Sequence, residues 1–199
     1  MKITRFSTLA PAALALAALF SVANTAQAAD APQVKFATTA GDFTVEVYPD
    51  KAPKTVENFL QYVKDKHYEG TQFHRVIDNF MVQGGGYDAK YAEKRTRAPV
   101  VHEGREALAK GGPRNVVGTL AMARTNDPNS ATAQFFINVR DNSFLDPSVQ
   151  QPGYTVFGKV VGGMDVIQKI KTTPTGAGGP FPSDVPKTPI LINSATLVK

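Results

Sequence analysis

The sequence predicts a mostly β domain: a closed eight-stranded antiparallel barrel capped by two α-helices. Three observations predict it. Strand-like runs recur along the chain, about eight in all. Only two segments carry helical periodicity. Strands and helices do not alternate regularly, which argues against a doubly wound sheet and leaves a barrel with helices over its ends.

The first stretch, MKITRFSTLAPAALALAALFSVANTAQAAD, lies before that domain. Lys2 and Arg5 precede an apolar run from Leu9 to Val22, and Ala26-Gln27-Ala28 is a small-x-small cleavage signal. This is the pattern of a secretory signal peptide over residues 1–28. The apolar run, about 14 residues, is short of the ~20 that a spanning helix needs, so no stable membrane association is expected. Residues 29–199 then form a single domain large enough for a real core. The address this implies is a bacterial periplasm.

Residues 34–39 and 43–47 are the first two strands, with Ala40-Gly41-Asp42 turning between them. In DKAPKTVENFLQYVKDK, Pro53 suits the first helical position, and Val56, Phe59, Leu60 and Val63 make one apolar helix face. Residues 73–77 and 81–83 are further strands, residues 87–115 a polar loop. Residues 116–122, 134–139 and 154–161 are strand-like. Residues 164–171 form the second helix, with Val166, Ile167 and Ile170 facing in. KTTPTGAGGPFPSDVPK is expected to be a Pro/Gly loop, and residues 190–198 the closing strand.

Composition excludes several functions. The formal charge is +5, from 22 basic and 17 acidic residues, and removal of Lys2 and Arg5 leaves +3. The densest basic stretch, residues 90–114, also holds Glu93, Glu103 and Glu106, so it is a solvated loop; a nucleic-acid surface needs a cleaner stripe with interleaved aromatics. There is no cysteine, hence no disulfide, thiol nucleophile or thiolate metal site. His102-Glu103 is followed by Gly104-Arg105 and makes no HExxH zinc motif. There is no GxSxG, and Gly84-Gly85-Gly86 does not lead into GK[ST], so these glycines serve a sharp chain exit instead of a phosphate loop. No pair of carboxylates anchors a glycosidase reading. No metal and no cofactor are expected.

What remains is a constellation: Phe73-His74-Arg75, Phe80-Met81-Val82-Gln83-Gly84-Gly85, Leu120-Ala121-Met122-Ala123-Arg124, Gln134-Phe135-Phe136-Ile137-Asn138 and Phe144-Leu145-Asp146. In this order and spacing the chain resembles the cyclophilins, peptidyl-prolyl cis-trans isomerases, from about residue 34 to 198. With its leader it is similar to their periplasmic Gram-negative members. The resemblance implies a cyclophilin-like barrel and rotation of X-Pro bonds in unfolded or flexible polypeptides, by a monomer that assists the folding of exported proteins. It implies Arg75 as the catalytic arginine and Gln83 as the glutamine that orients it. Phe80, Met81, Phe136 and Leu145 match the cup for the proline ring. Ala123 and Arg124 match the groove for the chain before proline, although animal members usually have asparagine at the position of Arg124. Gln134 matches a polar groove residue. Phe144 and Tyr154 stand where many eukaryotic members have tryptophan and histidine. Phe144 lacks an indole N–H, so weak binding of the cyclic-peptide inhibitor cyclosporin is expected. The rival reading is a proline-peptide binding module with little turnover; a scaffold would need an interaction element outside the barrel.

Strand alternation gives two further expectations. In Phe135-Phe136 one ring enters the core and the other faces the groove, and His74 points away from the side of Arg75. A two-residue turn at Asp78-Asn79 would put Met81 and Gln83 on the wrong side of the sheet. One more residue in the loop pairs Arg75 with Gln83, and a shared site requires that longer turn or a bulge.

Overall fold

The computed structural model of the chain describes Met1 and residues 31–199. The expected signal peptide therefore falls, Met1 apart, outside the described residues. The elements are β1 (Gln33–Thr38), β2 (Gly41–Val47), α1 (Pro53–Lys64), β3 (Arg75–Ile77), β4 (Met81–Gly84), α2 (Gly104–Ala109), β5 (Thr119–Met122), β6 (Phe135–Asn138), β7 (Val156–Gly162), α3 (Met164–Lys171), β8 (Thr175–Gly178), β9 (Phe181–Pro186) and β10 (Ile192–Leu197). Short 3-10 turns lie at Pro128–Ser130 and Ser143–Leu145.

Eight strands form one antiparallel sheet in the order β10-β1-β2-β7-β5-β6-β4-β3. Alternation decides its two faces. Val34, Phe36, Phe43, Val45 and Val47 are all at most 1% exposed and point inward with Val82, Leu120, Phe135, Ile137 and Phe157. One core cluster draws on all eight strands, so the sheet curls around it. The expected closed barrel is corrected in one respect. The ladder does not run on from β3 to β10. Residues 70–73 and 190–192 span that seam instead, through Phe73 N–H to Ile190 O (3.0 Å), Ile192 N–H to Thr71 O (2.8 Å), Gly70 N–H to Ile192 O (2.8 Å) and an isolated bridge between Gln72 and Leu191. β3 pairs with β4 on one side, and β9 of the hairpin after α3 lies beside it.

Helix α1 buries Thr55, Val56, Phe59, Tyr62 and Val63, and Leu60 packs half-buried against the same core. Its first turn has no local side-chain cap; the orphan amides are met from far along the chain. The buried Glu103 carboxylate accepts from Lys54 N–H (3.2 Å), Thr55 N–H (2.8 Å) and the Thr55 hydroxyl (2.8 Å). A carboxylate at a helix N-terminus also meets the positive end of the helix dipole. The acid of the His102-Glu103 pair is thus a structural cap.

Two loops contain more order than their composition suggests. Residues 87–115 include the short α2, which makes three α-helices where two are expected. Basic side chains in this stretch tie it down: Lys94 donates to His67 O (2.6 Å) and Glu69 O (3.0 Å), and Arg97 pairs with Asp65 (2.7 Å). The Pro/Gly stretch after α3 is a hairpin, β8–β9, and β9 lies beside β3. Among the described residues no helix is long and apolar enough to cross a membrane.

Candidate active site

The site begins at the turn between β3 and β4. Asp78, Asn79 and Phe80 form a three-residue loop, closed by Phe80 N–H to Ile77 O (3.1 Å) and made possible by Asn79 at φ +62°. This is the longer turn that a shared site requires. The register pairs Arg75 with Gln83 and Ile77 with Met81. Across the next ladder Gln83 faces Phe136. Arg75, Gln83 and Phe136 therefore stand in one row on the outer side of the sheet.

Arg75 is exposed, and no carboxylate among the described residues forms a salt bridge with it. Its Nη1 approaches Gln83 Oε1 at 3.5 Å, a long contact that orients more than it binds. Gln83 Nε2 donates to Gln134 Oε1 at 3.0 Å, which fixes the amide with its oxygen toward the guanidinium. Gln134 lies flat across Gly86; a Cβ on that glycine would come within 2.5 Å of the Gln134 side chain. The neighbouring Gly85 has φ +88°, where a side chain is strained. The glycine run is thus both the expected sharp exit and a bed for Gln134.

Beside this polar row lies a second apolar cluster, separate from the main core: Met81, Ala121, Phe136, Leu145 and Val156, with Ile77, Phe80, Ala123 and Tyr154 against it. Phe135 points into the main core and Phe136 into this cluster, as alternation requires. Strands alone do not hold the cup. A buried polar network fastens its two loop-borne walls. Asn142 Nδ2 donates to Phe80 O (2.9 Å) and Asn138 Oδ1 (2.7 Å). Asn138 Nδ2 donates to Asn115 Oδ1 (3.2 Å) and to the Thr119 hydroxyl (3.0 Å). The Asp146 carboxylate accepts from Asn115 N–H (2.8 Å) and Nδ2 (3.0 Å) and pairs with Arg114 (3.2 Å). The network anchors both Phe80 and the segment carrying Leu145.

The far wall is held by charge. Arg124 donates from Nε (3.1 Å) and Nη2 (2.8 Å) to Gly153 O and from Nη1 (2.8 Å) to Thr125 O, while its guanidinium lies 4.5 Å from the centre of the Tyr154 ring. Tyr154 in turn meets Phe136 edge-on at 5.5 Å. His102 joins the same carbonyl. Its Nδ1 accepts from Gly104 N–H (3.3 Å), so Nε2–H donates to Gly153 O (3.2 Å), and burial holds the ring below its ordinary pKa.

All the expected site residues but one line a single cavity of about 280 Å³; the exception is Phe144. It stacks on Phe80 at 5.8 Å and is 61% exposed at the rim. Three further residues line the cavity: His74, Tyr87 and Phe181. His74 overturns the expectation that it points away from Arg75. The strand starts only at Arg75, so alternation does not reach it. The ring is buried, its Nδ1 makes no hydrogen bond within the protein, and burial, with the Arg75 charge adding, lowers its pKa to about 4. Tyr87 and Phe181 are missed because their segments are loop-like in composition.

The family model for cyclophilin type peptidyl-prolyl cis-trans isomerase/CLD matches residues 33–197. Peptidyl-prolyl cis-trans isomerase B of Escherichia coli is 50% identical over 167 residues, covering 82% of this chain and 98% of its own. A peptidyl-prolyl cis-trans isomerase of Acinetobacter baylyi is 50% identical over 164 residues, covering 82% and 84%. The isomerase cyp18 of Streptomyces antibioticus is 50% identical over 168 residues, covering 83% and 98%. Among solved structures, a cyclophilin type isomerase of Cryptosporidium parvum superposes with a TM-score of 0.67 at 23% identity, covering 85% of this chain and 98% of its own, a likeness of fold. The chain belongs to the cyclophilin type peptidyl-prolyl cis-trans isomerase family. It is a peptidyl-prolyl cis-trans isomerase, and its reaction is the rotation of X-Pro peptide bonds.

Proposed function

We propose that Arg75 is the group that stabilises the twisted amide, that Phe80, Met81, Phe136 and Leu145 hold the proline ring, and that Gln83 and Gln134 orient Arg75 and the substrate backbone. The observation that carries this reading is the row Arg75, Gln83, Phe136: an unneutralised guanidinium, its amide partner and an apolar ring side by side on one face of the sheet. An X-Pro amide resists rotation by about 18–20 kcal/mol because its C–N bond has double-bond character. Twisting removes that conjugation, makes the proline nitrogen pyramidal and leaves the carbonyl without its resonance partner. No covalent bond need break, so positioning and a fixed charge suffice. A millionfold acceleration needs about 8 kcal/mol of stabilisation specific to the twisted state.

Arg75 supplies part of this by donating to the carbonyl oxygen or favouring the nitrogen lone pair, and it stays charged at any working pH. It is exposed in the free protein and solvent screens it. A bound chain covers it, lowers the local dielectric and strengthens its contact at the moment of twisting. The cup holds the ring while the N-terminal side rotates. Ala123, with Arg124 and Tyr154 behind it, forms the floor for the chain before proline. Phe144 at the rim offers no N–H, and weak cyclosporin binding follows.

The substrates in this reading are exposed X-Pro segments of unfolded or flexible polypeptides, turned over by a monomer without nucleic acid. The leader pattern of residues 1–28 supports a periplasmic address and a role in folding exported proteins. The test is Arg75→Ala in a proline-peptide isomerisation assay. The rate constant falls about 100-fold to 1,000-fold, while the melting temperature stays at the wild-type value because Arg75 is exposed and forms no salt bridge. An unchanged rate defeats the reading.

A further inference from the structure

We propose that Phe181, Tyr87 and His74 form a second subsite of this groove, one that takes an aromatic side chain on the substrate residue following proline. The proposal rests on the reading that the proline ring sits in the cup of Phe80, Met81 and Phe136.

Position is the first argument. These three residues line the same cavity as the cup, so the surface is continuous with the proline site. The order across the sheet is β9 beside β3, then β4, β6 and β5. Arg75, Gln83 and Phe136 cross its middle in one row. Ala123 and Arg124 follow β5 on one side; Phe181 opens β9 on the other. A chain that crosses the sheet in line, approaching the cup over Ala123, leaves it past Arg75, toward Phe181.

Chemistry is the second argument. His74 and Tyr87 meet at 4.7 Å, Tyr87 and Phe181 edge-on at 5.1 Å, and His74 and Phe181 at 5.4 Å. Their packing makes an aromatic wall, and an incoming ring gains edge-to-face contacts that glycine cannot make. Burial keeps His74 uncharged at neutral pH, so the wall carries no charge of its own. Arg75 stands next to it and can stack on an aromatic substrate side chain, whereas it repels lysine or arginine. Phe181 is only half-buried, on a hairpin outside the main sheet, and it belongs to neither apolar core cluster.

The experiment compares three peptides, Ala-Ala-Pro-Phe, Ala-Ala-Pro-Gly and Ala-Phe-Pro-Gly, by protease-free NMR exchange on the wild type, Phe181→Ala and Tyr87→Leu. The wild type is expected to favour Pro-Phe over Pro-Gly in kcat/KM by about threefold to tenfold. Both variants are expected to bring that ratio close to one, each measured against its own Pro-Gly turnover, with the circular dichroism spectrum and melting temperature as the control for an intact fold. A wild type with no preference, or a preference that survives Phe181→Ala, overturns the proposal. So does a variant effect seen only with Phe before proline. Failure of the catalytic reading shows separately: there Arg75→Ala leaves turnover of all three peptides intact.

Discussion

Phe135 and Phe136 are neighbours in β6, yet their rings belong to different regions of the molecule. Phe135 is fully buried in the main core, where Tyr68 and Phe73 meet it edge-on at 5.5 and 6.2 Å. Phe136 is nearly as buried, at 4% exposure, but its surroundings are the small cluster under the groove. The inner region is closed by strands from the whole sheet. The outer one is closed on one side only and held by asparagines and an arginine. Burial alone therefore does not separate stability from function here; what encloses the residue does. Polar fastening suits the outer region because its walls must keep their positions without filling the space that a substrate ring takes.

Substitution of the two phenylalanines puts the contrast to its hardest test. Phe135→Ala leaves a cavity in the main core and is expected to cost about 3–5 kcal/mol of stability. Phe136→Ala opens onto a groove that water can already enter. It is expected to cost about 1–2 kcal/mol and to lower kcat/KM about tenfold to 100-fold. Urea unfolding beside the isomerase assay measures both; equal stability losses would erase the distinction between the regions.

Asn142→Ala probes the fastening itself. It removes the donor to Phe80 O and to Asn138 Oδ1, which leaves Phe80 O with Val139 N–H alone (3.1 Å) and the buried Asn138 Oδ1 without Asn142, at a cost of about 1–3 kcal/mol. Because Phe80 is a wall of the cup, KM for a proline peptide should rise while Arg75 keeps its place and kcat changes less. If KM is unmoved, the network serves stability alone.

At neutral pH the contrast leaves no mark on His74, at the border between the regions; only acid brings it out. Its folded pKa, about 4, lies below the ordinary 6.5, so the folded state binds fewer protons than the unfolded one. The stability this gives is complete above pH 6.5 and is lost as pH falls through 4. Between pH 7 and 4 it amounts to roughly 3 kcal/mol. His67 and His102, also lowered by burial, work in the same direction. Urea midpoints measured from pH 7 to 4 should fall, and His74→Gln should flatten that slope. An identical slope in the variant would mean that His74 is not the group responsible.

Much of this arrangement is legible in the residue order, for reasons that differ between elements. The eight sheet strands show as runs of β-formers between turn residues; alternation marks β1 and β2, whereas β5 and β6 are buried on both faces and read as continuous apolar runs. The β3–β4 register follows from asking which loop length puts Arg75 and Gln83 on one face, a question of geometry that needs no coordinates. The hairpin β8–β9 is illegible for the opposite reason: Gly176, Gly178 and Gly179 have no side chains with which to show a pattern. The wall of His74, Tyr87 and Phe181 is lost with it. Helix α2 spans six residues, too few to display a period. The buried asparagines that hold the cup are invisible in principle, since periodicity reports apolar faces and says nothing of which polar side chains are enclosed. The open seam is hidden too, because a sequence shows where strands lie and not whether the last one meets the first.

That seam has a consequence for motion. The strand carrying Arg75 is tied to the sheet by a full ladder on the β4 side only; toward β10 it depends on the few backbone bonds just ahead of it. Breaking those bonds parts residues 70–73 from residues 190–192 without unzipping any pair of long strands, while Gln72 stays bonded to Tyr87 O (2.9 Å) and Thr71 bridged to Asp88. In hydrogen exchange the amides of Phe73 and Ile192 should therefore lose protection before those of Phe36 and Val45. The edge of the groove can open and reseal as a local event, while the rest of the sheet stays folded.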